Sequence, residues 1–494
     1  MAGAGVGSAK RRVAVIGAGP AGLAAAARVL ENGGGNVSVT ILHMGHHFGG
    51  KAATYQDARG EHIEHGWHMV LGFYTRMKAL MARAGVSFEK SFSTMHHQSH
   101  CYERWSDKLH RLNGSGGGLS VATRFMGYEG LPPQDRANFN RFMASAYATA
   151  LRGTGLERHD DICWDAYAYE EGLRPHITKY SFFRMFRELY FNFPEHISAY
   201  HMLKTLRFMN TSEASEIFVC RGRFSEVVWD PIADYVKKLG AKIEGYAMVT
   251  GFTYAGARIT GLRIAKPDGA GHHDGATAWM TNEIPKDGGE HVYEDFDDVI
   301  CTVPAAVFSK LNKDDAAWWS STYFARIRNL RSASTVGMRI ITKEPLVGIP
   351  EGPIFGIPAP LGNAFHMTPH LTLIPGLAAG GDIIDFVGQE NGFESWTDDQ
   401  IVDFTLDNLG KLFKVQLTRK NLSWYEFHRN RADHERIFLC EPGVQKFRPG
   451  PRTPFANLFL AGDWVKNAID LVCMEGAIVA GEAAADLVLE GARR

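Results

Sequence analysis

The hydrophobic pattern changes period early in the chain. VAVIG at 13–17 is an unbroken apolar run, the mark of a strand buried on both faces. GAGPAG at 17–22 breaks it, and LAAAARVLENG at 23–33 then reads as a helix stopped by glycine. NVSVTILH at 36–43 reads as a second strand, so the first forty residues predict one βαβ unit, the start of a doubly wound parallel sheet. The far end repeats the theme: NLFLAGDW at 457–464, then MEGAIVAGEAAADLVLEGA at 474–492, predict strand, loop and helix. Ahead of the first strand, MAGAGVGSAK at 1–10 is small and unpatterned and predicts a mobile tail.

The middle is less regular. A glycine-rich loop is expected at 113–118, and an aromatic-rich helical stretch, suited to covering a pocket as a separate lobe, at 134–210. Residues 231–250 predict a helix followed by a strand, and 298–304 another strand. The polar, glycine-bearing segment 266–294 predicts a solvent-facing excursion with a hairpin. There is no internal repeat.

A chain of 494 residues exceeds one ordinary core, so two interleaved domains are expected. The 53 basic side chains nearly cancel the 54 acidic ones, which argues against nucleic acid held by a broad positive field. Six cysteines, at 101, 163, 220, 301, 440 and 473, form no CxxC pair; neither a disulfide framework nor a zinc ribbon follows, and a reducing, cytoplasmic setting is expected. The uncharged run 13–27 after Lys10, Arg11 and Arg12 imitates a secretory signal but falls short of the ~18 residues that span a bilayer. No other stretch approaches that length, so an integral membrane protein is not expected.

The chemistry starts at GAGPAG. Gly17, Gly19 and Gly22, with Pro20 and Ala21 between the last two, give GxGxxG between strand and helix. The first glycine permits the turn, the second admits a pyrophosphate, and the third lets helix and strand pack closely. Amides and the positive end of the helix dipole then attract phosphate; the alternative is a purely structural turn. The acid expected after the second strand, to accept ribose hydroxyls, is replaced by His43, whose neutral ring accepts one hydrogen bond or simply faces solvent. GSGGG at 114–118 lacks a preceding apolar strand, so there is one dinucleotide fingerprint rather than two. That favours a bound cofactor reduced directly by substrate, FAD, over a nicotinamide.

FGGKAATYQDARGEHIEHGWHMVLGFYTRMKALMARAGV at 48–87 resembles the glycine-pair region of plant-type phytoene and ζ-carotene desaturases, within the FAD-dependent amine oxidase superfamily. Further matches lie at PEHISAYHMLKTLRFM (194–209), PIADYVKKLGAKI (231–243), DVICTVP (298–304) and LFLAGDWVKNAIDLVCMEGAIVAGEAA (458–484). The resemblance implies an α/β fold. A Rossmann-type FAD-binding domain would come from discontinuous segments 11–95, 216–305 and 426–494, with an interleaved α+β substrate domain from 96–215 and 306–425.

It further implies that Gly49, Gly50 and Lys51 lie against the FAD pyrophosphate and that Glu64, Gly66, Trp67 and His68 surround the flavin. Val249 joins the cofactor site, and Gly462 and Asp463 approach the phosphate and ribityl chain. Met474, Glu475, Gly476 and Ala477 would start the last helix beneath the isoalloxazine, where its dipole favours negative charge on reduced flavin. His65, Trp67 and Trp464 depart from the usual residues, as does His43, which leaves an altered substrate open.

The proton carriers expected are His68, His65 and Glu64. Histidines at 43, 46, 47, 62, 65 and 68, and again at 96, 97 and 100, invite a metal reading, but i and i+3 residues of strands and loops do not share a face, and no metal is assigned. Trp424, Tyr425 and Trp464 read either as an aromatic cage for an amine or as core. The 30 phenylalanines and 16 methionines line an apolar tunnel or fill a large core. The expected activity is desaturase-like removal of a hydride and a proton from an apolar, isoprenoid-type substrate, at a membrane surface where that substrate is a lipid. Amine oxidation to an imine with hydrogen peroxide is the alternative, and a flavin-containing binding protein a third. Oligomeric state and electron acceptor stay open.

Overall fold

The computed structural model describes residues 10–45, 47–56, 62–64, 68–95, 99–112, 128–185, 190–211, 213–265, 289–374, 380–389, 392–430 and 437–492. The expectations for the tail at 1–9, for residues 65–67, for the loop at 113–118 and for 266–288 of the polar excursion lie outside these.

The apolar run at the start becomes the central strand Arg11–Ile16 of a five-stranded sheet. Val37–Leu42 and then Lys242–Glu244 pair on one side, Asp298–Cys301 and then Leu458–Leu460 on the other, all parallel. Its five strands thus come from three separate stretches of chain, 11–42, 242–301 and 458–460, joined by the long crossovers that parallel pairing requires. Pro20 opens the helix Pro20–Asn32, where its missing N–H costs nothing, and Leu23, four alanines and Val29 are buried. The small side chains let the last helix, Met474–Ala492, approach its backbone: a Cβ on Gly481 would stand 2.1 Å from the Ala21 carbonyl oxygen. The two ends of the chain therefore share one core. An Arg11–Asp298 pair, with Nη2 to Oδ1 at 2.9 Å, ties the first strand to its neighbour.

The second half is a seven-stranded sheet in the order Leu422–Asn430, Thr335–Thr342, Ile383–Gln389, Asn363–His366, Ile354–Phe355, His100–Glu103, Lys108–Arg111. Alternation assigns its faces. Val336, Met338, Ile340, Ile384 and Phe386 pack under the helix Asp398–Phe413, which a Thr397–Gln400 capping box starts. Gly337, Arg339, Ile341, Ile383, Asp385 and Val387 face the opposite way. There Ile341, Ile383 and Val387 meet Met95 and Val219, so this face is turned toward the parallel-sheet half.

The helical stretch expected at 134–210 is present as Pro133–Arg152, Trp164–Glu170 and Ala199–Phe208 with short turns between. Residues 231–250 give the helix Asp230–Lys238, then strand Lys242–Glu244 and the start of Met248–Ala255; Asp298–Cys301 and Leu458–Leu460 are strands as expected. The excursion leaves from Arg258–Ala265 and returns in Glu290–Tyr293, paired antiparallel. One boundary moves. The division expected at 426 falls inside strand Leu422–Asn430, and residues 426–430 are paired with 335–339, so they stay with the seven-stranded sheet. Among the described residues no helix is long and apolar enough to cross a membrane.

Candidate functional site

The carboxyl ends of parallel strands collect ligands because loops diverge there and helix N-termini point in. Three glycine turns, far apart in sequence, meet at that edge. The first strand ends with the Gly17 amide on the Leu42 carbonyl at 2.9 Å. A Cβ on Gly22 would lie 2.0 Å from the Gly17 carbonyl oxygen, so the third glycine is required for the turn to close on its helix. The Gly49 amide donates to the Ala18 carbonyl at 3.0 Å, and a Cβ on Gly50 would come 3.2 Å from the Gly19 Cα: the second glycine turn lies directly on the first. Gly49 sits at φ +109° against the Trp229 ring, where a side chain has neither the backbone conformation nor the space.

The third turn arrives from the far end of the chain. Lys51 Nζ meets Asp463 Oδ2 at 2.7 Å, with Gly462 just before it and the last helix starting at Met474. The exposed backbone of three turns and one lysine make a cradle whose chemistry suits a dinucleotide pyrophosphate. Val249 is buried at a register irregularity beside Gly251, on the strand that follows Lys242–Glu244.

His43 is not turned to solvent. It is 8% exposed, its ring stacks on Phe48 at 5.8 Å, its amide donates to the Glu244 carbonyl at 2.9 Å, and its own carbonyl accepts from Ala247 at 2.8 Å. The acid missing after the second strand has a counterpart one strand over: Glu244 is paired in register with Leu42, at the same end of the sheet, and ion-pairs with Lys242 at 2.7 Å.

Glu475 is engaged elsewhere than expected. Its carboxylate accepts from the Arg76 amide at 2.8 Å, the Met77 amide at 3.0 Å and Thr75 Oγ1 at 3.3 Å, capping the helix Thr75–Arg83, which has no side-chain cap of its own. Burial pushes its pKa up, and the helix amides pull against that shift. Glu475 thus anchors a neighbouring helix to the start of the last one, while Gly476 and Ala477 donate to Cys473.

Of the expected proton carriers, His65 lies outside the described residues, as do Gly66 and Trp67. His68 Nε2 lies 2.9 Å from the Lys51 carbonyl oxygen, which ties its ring to the second glycine turn. Glu64 faces a cavity. Its Oε1 accepts from Thr54 Oγ1 at 3.1 Å and the Phe224 amide at 3.3 Å, and it shares a cavity of about 20 Å³, room for a water molecule, with Gly337, Met338, Arg339, Asp385, Glu426 and His428.

Sequence reasoning missed that wall. Arg339 is flanked in register by Asp385 on one strand and Glu426 on the other, and His428 lies opposite Gly337. Arg339 holds Asp385 through both oxygens, Nε to Oδ1 at 2.6 Å and Nη2 to Oδ2 at 2.7 Å, and His428 pairs with Glu426. Burial alone would lower the Arg339 pKa, but Asp385, with Glu64 and Glu426 behind it, more than offsets this and holds it raised. Among the described residues of this wall three carboxylates face one guanidinium and one imidazole, so acidic groups outnumber basic ones. The sequence signal was a lone charge in each of two apolar strands, Arg339 and Asp385, with Glu426 and His428 in a third, more polar one. Among the described residues no group of His, Cys, Asp and Glu is arranged to hold a metal.

The aromatic cage is not formed. Trp464 is 1% exposed and donates its indole N–H to the Val303 carbonyl at 3.0 Å; Trp424 and Tyr425, adjacent on one strand, point to opposite faces, and Tyr425 is exposed.

A second missed residue is Arg448, fully buried, which donates to the carbonyls of Trp464 (3.1 Å), Asp463 (3.0 Å) and Val465 (3.1 Å) and pairs with Asp470 at 2.8 Å. It fixes the turn that presents Asp463 to Lys51. No local motif announces it.

Comparison with known proteins agrees with this architecture. The family model described as flavin containing amine oxidoreductase matches residues 20–489. A 15-cis-phytoene desaturase of Synechococcus elongatus is 22% identical over 97% of this chain and 96% of the relative. A probable zeta-carotene desaturase of the same organism is 24% identical over 97% and 98%. Among solved structures, a putrescine oxidase variant superposes with TM-score 0.70 at 14% identity, covering 98% of this chain and 100% of the other. Cyclohexylamine oxidase from Brevibacterium oxydans does so with TM-score 0.64 at 14% identity and the same coverage. At such identities the structural likeness speaks for the fold. With the family match running from the first helix almost to the end of the last, the chain belongs to the flavin containing amine oxidoreductases and is an FAD-dependent oxidoreductase.

Proposed function

We propose that this enzyme is a desaturase-like dehydrogenase. A carbon-bound hydrogen of an apolar, isoprenoid-type substrate leaves with its electron pair, a neighbouring proton is lost, and a carbon–carbon double bond forms. FAD, when bound, supplies the hydride acceptor, and oxygen or a quinone later removes the electron pair. Similarity to both carotenoid desaturases along nearly the whole chain is the observation that carries this reading.

In it, the parallel-sheet half binds FAD. Amides at Gly19 and Gly50, with the N-terminus of helix Pro20–Asn32, hold the pyrophosphate, Gly17 and Gly49 shape the turns that present them, and Lys51 and Asp463 close the cradle. The seven-stranded sheet and its helices form the substrate lobe. Glu64 is the favoured proton carrier, because it stands on a cavity wall while the His68 ring is tied to Lys51. Glu244 stands in for the missing ribose acceptor. Glu244→Gln is then expected to weaken FAD binding to the apoprotein about tenfold, near the lower end, ~1.5 kcal/mol, of what a hydrogen bond to a charged group contributes. Fluorescence titration with FAD reads this, and an unchanged affinity removes Glu244 from the site.

A second reading, amine oxidation to an imine with hydrogen peroxide, is favoured by one observation: surplus carboxylates beside Arg339 suit a cationic substrate. Anaerobic titration of the yellow protein separates the two. Loss of flavin absorbance with carotenoid precursors supports the first reading. Loss with amines, and peroxide on admitting air, supports the second. A flavin that neither class reduces overturns both and leaves a flavin-containing binding protein.

A further inference from the structure

A second cavity lies on the substrate lobe, where the hairpin joining His100–Glu103 to Lys108–Arg111 meets the short helix Ser181–Arg184 and the end of strand Ile354–Phe355. Its volume is about 360 Å³, enough for a small ligand group, and its walls carry Arg104, Lys179 and Arg184. Arg184 is shared with Glu195 at 3.1 Å. Among the described residues Arg104 and Lys179 have no carboxylate partner. Arg184 also feels the Asp165 carboxylate, and Glu103 lies behind Ser181, so the cations of the cleft left to meet a ligand are Arg104 and Lys179.

The cleft is held open by buried structure rather than by loose side chains. Glu103, 1% exposed, accepts from the Ser181 amide at 3.1 Å, the Phe182 amide at 2.8 Å and Tyr128 Oη at 3.0 Å, pinning the helix to the strand that leads to Arg104. Across from it Gly356 sits at φ +82°, and a Cβ there would be 2.7 Å from Ser181 Cβ and 2.8 Å from the Tyr102 carbonyl oxygen. Only glycine lets the two walls come together in this way. Met185 and Ile357 add apolar surface to the lining, and Trp105, next to Arg104, is half exposed.

We propose that this cleft binds a phosphate monoester carried on an apolar group. Arg104 and Lys179, which have no carboxylate partner among the described residues, match the near-doubly charged phosphate; Arg184, shared with Glu195, adds donors, and the apolar wall takes the start of the tail. Such a group comes from a lipid headgroup in a membrane surface or from a soluble phosphate ester, and the test separates these sources.

The FAD-loaded full chain and its Arg104→Gln/Lys179→Gln double variant are compared in two arms. One arm measures co-sedimentation with phosphatidylcholine vesicles with and without phosphatidic acid; the other measures binding of inorganic phosphate and glycerol 3-phosphate by calorimetry. Both substituted side chains are exposed, so the variant keeps its fold, which the bound-flavin absorbance spectrum verifies. Binding in either arm that the double variant weakens about thirtyfold, near fivefold for each charge removed, supports the proposal, and the arm names the source. Loss of that binding at high salt accompanies it. Binding in neither arm, or binding that the double variant retains, overturns it.

Discussion

Arg448→Met is expected to give a chain with a much lower denaturant midpoint that loses most of its flavin on purification. The guanidinium is fully buried and satisfies three main-chain carbonyls and the Asp470 carboxylate. Removing it strands a carboxylate that is itself 8% exposed, with only Tyr200 Oη at 2.6 Å and the Asn467 amide at 3.1 Å left to it. Breaking a buried pair in this manner costs about 3–5 kcal/mol, a large part of the stability of an ordinary domain. The loss falls on the turn that carries Asp463 to Lys51, which is why flavin retention and stability should fall together. Arg448→Lys keeps a charge for Asp470 but gives up the planar fork that reaches three carbonyls, so an intermediate midpoint is expected. A methionine variant with the parent's midpoint and full flavin content would remove Arg448 from the architecture of the site.

Acid should attack the same region. His201 packs against the Tyr200 ring and lies 3.2 Å from Gln445 Nε2, and burial, helped by Arg448, drives its pKa down to about 3 from 6.5. The unfolded chain takes up a proton near pH 6.5 that the folded chain refuses until about pH 3. The stability this contributes is therefore present above pH 6.5 and lost as pH falls toward 3. His201→Gln should flatten that part of the midpoint-against-pH curve; an unchanged slope would place the titrating group elsewhere.

What the sequence disclosed, and what it hid, follows from where each function is encoded. Gly17, Gly19 and Gly22 were legible because backbone approach demands glycine at fixed local spacing, whereas Gly49, Lys51, Gly462 and Asp463 were reached only through the family resemblance. The wall around Arg339 was not legible. Arg339, Asp385, Glu426 and His428 come from three strands, the first two as stray charges in apolar runs and the last two in a mixed polar strand; only the register that sets Arg339 between Asp385 and Glu426 makes them a group. Glu244 was hidden for the same reason, since its value depends on its strand lying next to Val37–Leu42. The part the Glu475 side chain plays in capping another helix was hidden because its partners Arg76 and Met77 lie 399 and 398 residues away. The boundary expected at 426 falls inside a strand because pairing with Thr335–Thr342, which no local motif reports, carries the sheet on to Asn430.

Arg339→Met is expected to be the most damaging change in the seven-stranded sheet. The guanidinium grips both oxygens of Asp385, which is 3% exposed, and its charge offsets those of Glu426 and Glu64 as well. With it gone, three carboxylates share a small cavity in which, among the described residues, His428 is the cationic candidate left. A loss of about 3–5 kcal/mol is expected, read as a fall in denaturant midpoint at constant slope. Arg339→Met/Asp385→Leu should recover most of it, because replacing both members of a buried pair by apolar groups removes two desolvation penalties together, whereas the single change leaves one charge unpaired. The pair removed is neutral, so the surplus negative charge from Glu64 and Glu426 persists in the double variant. A reaction that needs only that surplus should survive there, while one that needs Arg339 itself should not, even though the protein is folded and yellow. A double variant no more stable than the single would show that the arginine acts through packing of its stem rather than through its charge, and the reading of this wall as an electrostatic element would fall.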